Sequence, residues 1–138
     1  MRVNRQLTCQ HFDHIDHALG RPVDPMADSH RNHFATAEGA LAAGFRASPH
    51  WHHDGAMGGM LCFSVTTEGR KALRQHLREI GDRHRLYTVS WGGFDMAQIA
   101  TSRSKARYAK YLDVSDSAPD LTFKAFAASA RVRLAPRA

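Results

Sequence analysis

Apolar side chains recur at helical spacing through Thr8, Phe12, Ile15 and Leu19, and Gly20-Arg21-Pro22 then breaks the pattern, which predicts a helix from about Asn4 to Leu19. RPVDPMADSH, with two prolines and several turn formers, follows as a loop. From His30 to Gly44, Phe34, Ala37, Ala40 and Leu41 again fall at helical intervals, predicting one or two short helices that end at Gly44. FRASPHW and MLCFSVT are two strand-like runs, and the glycines and Asp-Gly pair of HHDGAMGG between them suit a hairpin loop. Thr66 or Thr67 then caps a helix through TEGRKALRQHLREIG, with Leu73, Leu77 and Ile80 on one face and Arg70, Lys71, Arg74 and Arg78 around it.

The remaining pattern is shorter in period. RLYTVSW alternates Tyr87, Val89 and Trp91, Gly92-Gly93 turns the chain, and FDMAQIAT returns as a second strand. Thr101 or Ser102 caps a helix through SRSKARYAKYL, whose expected packing side is Ser104, Tyr108, Tyr111 and Leu112, leaving Arg103, Arg107 and Lys110 as a cationic stripe. After SDSAPD, LTFKAFAAS forms a short helix and ARVRLA a closing strand with Val132 and Leu134 inward and Arg131 and Arg133 outward. The expected fold class is α+β, ending in a small ββααβ segment.

Composition narrows the class. A chain of 138 residues with 43% hydrophobic and 23% charged residues is that of an ordinary globular protein, too short for a barrel enzyme. No apolar run approaches the roughly 20 residues of a membrane span, and the first residues lack a secretory pattern. Cys9 and Cys62 alone make no disulfide framework, so a reducing cytoplasm is the expected location. Charge divides the chain near Gly81-Asp82. Residues 1–82 hold nine Lys/Arg and nine Asp/Glu, whereas residues 83–138 hold ten and four, so the whole net charge of +6 belongs to the second part. Nine of the ten histidines lie in the first. Two segments are therefore expected, 1–82 and 83–138, the second packed against the first.

The order ALAAGF, polar hairpin, FSVTTEGRKAL resembles the latter half of a winged helix of the MarR type, in which a helix ends at Gly, a two-stranded wing follows, and a Val-Thr-x-x-Gly-Arg step opens the next helix. With SHRNHFAT, residues 5–80 are also similar to small uncharacterised phage and prophage proteins. The resemblance implies a winged-helix-like first segment and a regulatory protein that binds DNA. It departs from the family at Thr36 to Ala43, where the groove-entering helix would lie, because that stretch has no cation and carries Glu38. In this segment Arg31 and Arg46 are the candidate arginine contacts, with Asn32, His33, His50, His52 and His53 near them.

The second segment supplies Arg103, Arg107, Lys110, Arg131 and Arg133, which would form one polyanion-binding patch if the last strand lies beside the helix, with Tyr108, Tyr111 or Trp91 for base stacking. Nothing calls for catalysis, a cofactor or a metal. Cys9, Cys62 and the serines stand in no nucleophile motif, and the GAMGG glycines lack a following Lys-Ser or Lys-Thr. His11, His14 and His17 step around a helix without a zinc-site interval, although such rings titrate near neutrality. The expected function is non-catalytic binding of nucleic acid or a host nucleoprotein complex by a monomer or homodimer. The alternative is a protein-interaction module that inhibits a host complex, such as an anti-CRISPR or other anti-defence factor.

Overall fold

The computed structural model describes residues 2–27 and 31–136. The fold is α+β, with five helices and two three-stranded antiparallel sheets among the described residues. It divides into two compact units, Met1–Asp82 and Arg83–Ala138. No described helix is long and apolar enough to cross a membrane.

Unit 1 runs α1 (Gln10–Ala18), β1 (Phe34–Thr36), α2 (Ala40–Ala47), β2 (Trp51–Met57), β3 (Met60–Val65) and α3 (Thr67–Glu79), with sheet order β1-β3-β2. Phe34, Phe63 and His53 lie in register across the sheet on its packed face. Ile15 and Leu19 from the first helical segment, Phe45 from α2 and Leu73 and Leu77 from α3 close the core over it. Phe45 stacks on Trp51 with ring centroids 4.0 Å apart.

Three expectations for this unit are corrected. The first helix begins at Gln10, not Asn4, because the preceding backbone finds other partners. Leu7 N–H donates to Asp13 Oδ1 at 2.9 Å and Val3 N–H to the Arg21 carbonyl at 2.7 Å, which draws residues 3–7 out of the helical path. Phe34 is in a strand. The side chain of Asn32 prolongs that strand's ladder, accepting from Val65 N–H at 2.7 Å and donating to the Val65 carbonyl at 3.0 Å as a peptide group would. Finally, α2 crosses Gly44 and absorbs Phe45, Arg46 and Ala47, while β2 absorbs His52 to Met57. The hairpin turn shrinks to Gly58-Gly59, whose φ values of 59° and 79° suit the tight turn that matches strand twist. His30, the expected start of a helix, and residues 28–29 of the expected loop lie outside the described residues.

Helix α3 starts where the sequence indicates, with Thr66 Oγ1 accepting from Gly69 N–H at 3.1 Å. Gly69 itself has a tertiary reason. A Cβ there would stand 2.5 Å from the His50 carbonyl oxygen and 2.6 Å from Val65 Cγ1. Gly69→Ala gains about 1 kcal/mol of helix propensity but overpacks this contact at a cost of about 1–3 kcal/mol, so the thermal midpoint is expected to fall. A midpoint that rises in differential scanning calorimetry would show that the contact relaxes freely.

Unit 2 runs β4 (Arg85–Trp91), β5 (Phe94–Ala100), α4 (Arg103–Ser115), α5 (Phe123–Ser129) and β6 (Arg131–Leu134), with sheet order β5-β4-β6. Ser102 and Thr122 cap the two helices, accepting from Lys105 and Ala125 N–H. Tyr87, Val89 and Val132 share one sheet face and pack against Ala106, Phe126 and Ala130, so α4 and α5 cover that face. Leu134 lies on the same face but is half exposed at the end of an edge strand, rather than inward as its alternation predicts.

Candidate nucleic-acid interface

Helix α4 is turned by about a third of a revolution from the orientation its apolar residues predict, at about 100° per residue. Of the expected packing side, Tyr111 is half-buried against the core, but Ser104, Tyr108 and Leu112 are exposed, Tyr108 at 51% and Leu112 at 47%. Fully buried Ala106 faces the sheet instead, flanked by half-buried Arg107 and Lys110. A methyl side chain lets the helix approach closely, and the aliphatic stems of the two cations lie along the packed surface. Lys110 Nζ reaches Asp113 Oδ2 at 3.4 Å, and Arg107 Nε is buried with no hydrogen-bond partner among the described residues.

The sheet also separates the five expected contacts of unit 2. Arg131 and Arg133 alternate with Val132 and therefore stand on the face opposite α4. Arg133 donates to Ser90 Oγ at 2.9 Å and to Asp95 Oδ2 at 3.2 Å, tying β6 to β4 and β5. The Ser90 hydroxyl, and after it Arg133, hold the Asp95 carboxyl below the usual carboxylate range. Arg103, Arg107 and Lys110 thus do not converge with Arg131 and Arg133. Arg103 and Arg131 are exposed and form no ion pair among the described residues.

In unit 1, Arg46 is in the last turn of α2 rather than on the hairpin, and binds Glu38 at 2.7 Å, which lowers the glutamate's pKa and raises its own. The helix before the hairpin therefore does carry a cation. Arg31 is exposed, with one nitrogen 3.5 Å from His17 Nε2 and from the His33 carbonyl.

Sequence reasoning named Tyr108 and Tyr111 for stacking but missed that Phe123 of α5 joins them. Phe123, at the start of α5, is 39% exposed and meets Tyr108 edge to face, with centroids 5.4 Å apart. Tyr111 stands behind both rings, 5.4 Å from Phe123, with its hydroxyl donating to the Leu121 carbonyl at 3.0 Å. Lys105 lies one turn before Tyr108 and Lys124 directly follows Phe123; both are exposed and form no ion pair among the described residues.

Comparison with protein-family models, with curated proteins and with solved structures finds no match.

The histidines of unit 1 form a pair rather than a cluster. His11 Nε2 and His50 Nδ1 are 2.8 Å apart, and burial, then His50 and His14, push the His11 pKa down. His52 Nδ1 and Ser64 Oγ both address Asp54 Oδ1, at 2.6 and 3.0 Å. With the carboxylate in the middle, this is not the order in which a base activates a hydroxyl. Among the described residues no three His, Cys, Asp or Glu are placed to hold a metal ion.

Proposed function

We propose that the protein is a non-catalytic binding protein whose second unit holds single-stranded nucleic acid across α4 and α5. The observation that carries this is the exposed Tyr108–Phe123 ring pair beside Lys105 and Lys124. Unpaired bases stack on such rings, each stack being worth about 1–3 kcal/mol, while ammonium groups neutralise the adjoining phosphates. The sheet order β1-β3-β2 with its tight hairpin supports a winged-helix-like first unit, but groove reading by that motif uses a pair of helices, and α2 alone stands between β1 and β2.

Tyr108→Ala is expected to weaken binding of a labelled oligonucleotide about tenfold to a hundredfold in fluorescence anisotropy. Lys105→Gln and Lys124→Gln are each expected to reduce the slope of log affinity against log salt by about 0.7. Absence of binding at low salt, or binding indifferent to Tyr108, would reject the reading.

Leu112 favours a second reading. It shares the exposed face with Tyr108, and an aliphatic side chain there suits the apolar surface of a protein partner better than a base. If oligonucleotides do not bind, while the wild type but not Leu112→Lys retains a host protein from nuclease-treated lysate, the protein-interaction reading replaces the first.

A further inference from the structure

We infer that β5 is a dimerisation edge, pairing antiparallel with β5 of a second copy to make one continuous six-stranded sheet. Among the described residues the two sheets leave four open strand edges, β1, β2, β5 and β6. Edges that must stay single are kept short, bulged or studded with charge and proline. β1 has three residues, β2 is broken by a register shift between His53 and Gly55, and β6 has four residues, two of them arginine, with Pro136 close behind. β5 is neither short nor bulged, and its one charge, Asp95, is engaged by Ser90 and Arg133 of its own sheet. Its seven residues, FDMAQIA, pair with β4 in unbroken register and include neither Lys, Arg nor Pro.

The direction of its free backbone groups follows from the hairpin. Trp91 and Phe94 flank the Gly92-Gly93 turn and are partners, so alternate residues from Phe94 onward bond to β4. The Ala135 N–H bond to the Leu86 carbonyl confirms the phase, since Leu86 points to β6 and its neighbours to β5. Asp95, Ala97 and Ile99 therefore turn N–H and C=O away from the sheet. The Gln98 amide covers only the Ile99 carbonyl, at 3.1 Å.

These three residues are self-complementary about a two-fold axis at Ala97. Ala97 faces Ala97 of the second copy, Asp95 faces Ile99, and no like charges meet. The same register sets Phe94 opposite Ala100. Phe94 is 71% exposed, the most exposed aromatic side chain among the described residues, and it lies on the strand that the pairing covers. The inference is independent of the nucleic-acid reading, because it uses none of the groups on α4 or α5.

Sedimentation equilibrium of the full chain over a concentration series tests it. The expected result is a monomer–dimer equilibrium that tightens with salt, because each second unit is basic and added ions screen the repulsion. Ala97→Lys sets two ammonium groups against each other at the axis and is expected to raise the dissociation constant about tenfold or more. Position 97 is exposed, so the fold is expected to survive, and circular dichroism verifies it. In parallel, the amides of Asp95, Ala97 and Ile99 are expected to exchange slowly in concentrated protein and rapidly in dilute protein. A wild type that stays monomeric at every concentration overturns the proposal. So does a folded Ala97→Lys variant that dimerises as tightly as the wild type, or exchange at these amides that ignores concentration.

Discussion

Asp16→Asn is expected to destabilise the first unit by about 3–5 kcal/mol, the cost of leaving a buried ion pair without one partner. Asp16 is fully buried, and its two oxygens take Arg5 Nη2 at 2.6 Å and Nε at 2.9 Å, with Arg21 Nη1 at 3.1 Å. Arg5 is only 6% exposed at its side chain and would keep Asp82 at 3.4 Å and the Pro22 carbonyl at 2.9 Å. Asparagine preserves the shape and removes the charge, so the guanidinium stays buried with its compensation reduced. Arg21 would retain Asp13 at 2.7 Å, yet its backbone sits at φ 52°, a strained value for a residue with a Cβ, held in place by this network. Urea unfolding followed through Trp51 in a Trp91→Phe background measures the loss. A change below about 1 kcal/mol would show that hydration replaces the lost pairing. The same network makes the wild type acid-sensitive. The hydrogen bond from Arg21 holds the Asp13 carboxyl below its ordinary value. Its contribution is therefore present above the unfolded carboxylate pKa and is lost as pH falls through the folded one.

Phe126→Ala is expected to cost the second unit about 3–5 kcal/mol, comparable to everything that keeps so small a unit folded. Phe126 and Val89 are its large fully buried side chains, and Phe126 meets Trp91 at 5.5 Å and Tyr111 at 5.8 Å. Removing the ring leaves a cavity where the helices meet the sheet. Amide resonances of β4, β5 and β6 are expected to lose dispersion, whereas Phe126→Leu retains it. Native-like dispersion in Phe126→Ala would mean that the helices collapse onto the void.

Much of the local structure was legible because it depends on local chemistry. Thr66 and Ser102 announce helix starts through hydroxyls that accept the third following N–H, and Gly92-Gly93 announces a turn through positive φ. Phe34 misled because a three-residue strand has no period of its own, and its helical spacing to Ala37 and Leu41 was accidental. Tyr108 and Leu112 misled for a different reason. Periodicity identifies the apolar stripe of a helix but assumes that the stripe is buried, whereas Ala106 allowed a closer approach on another side. With that closer approach Arg107 and Lys110 lie half-buried beside the sheet, and the Tyr108–Phe123 pair is exposed on the outer side.

The amino-acid order by itself determined the starts of α3 and α4 and the turn at Gly92-Gly93, together with the uneven charge between residues 1–82 and 83–138, because caps, glycine turns and ionisable groups act within a few residues of themselves. Tertiary structure alone decided which side of α4 meets the sheet, and that Arg5 and Arg21 close on a buried Asp16. Those outcomes depend on packing volume and on charges brought together from distant positions, and neither leaves a period in the sequence.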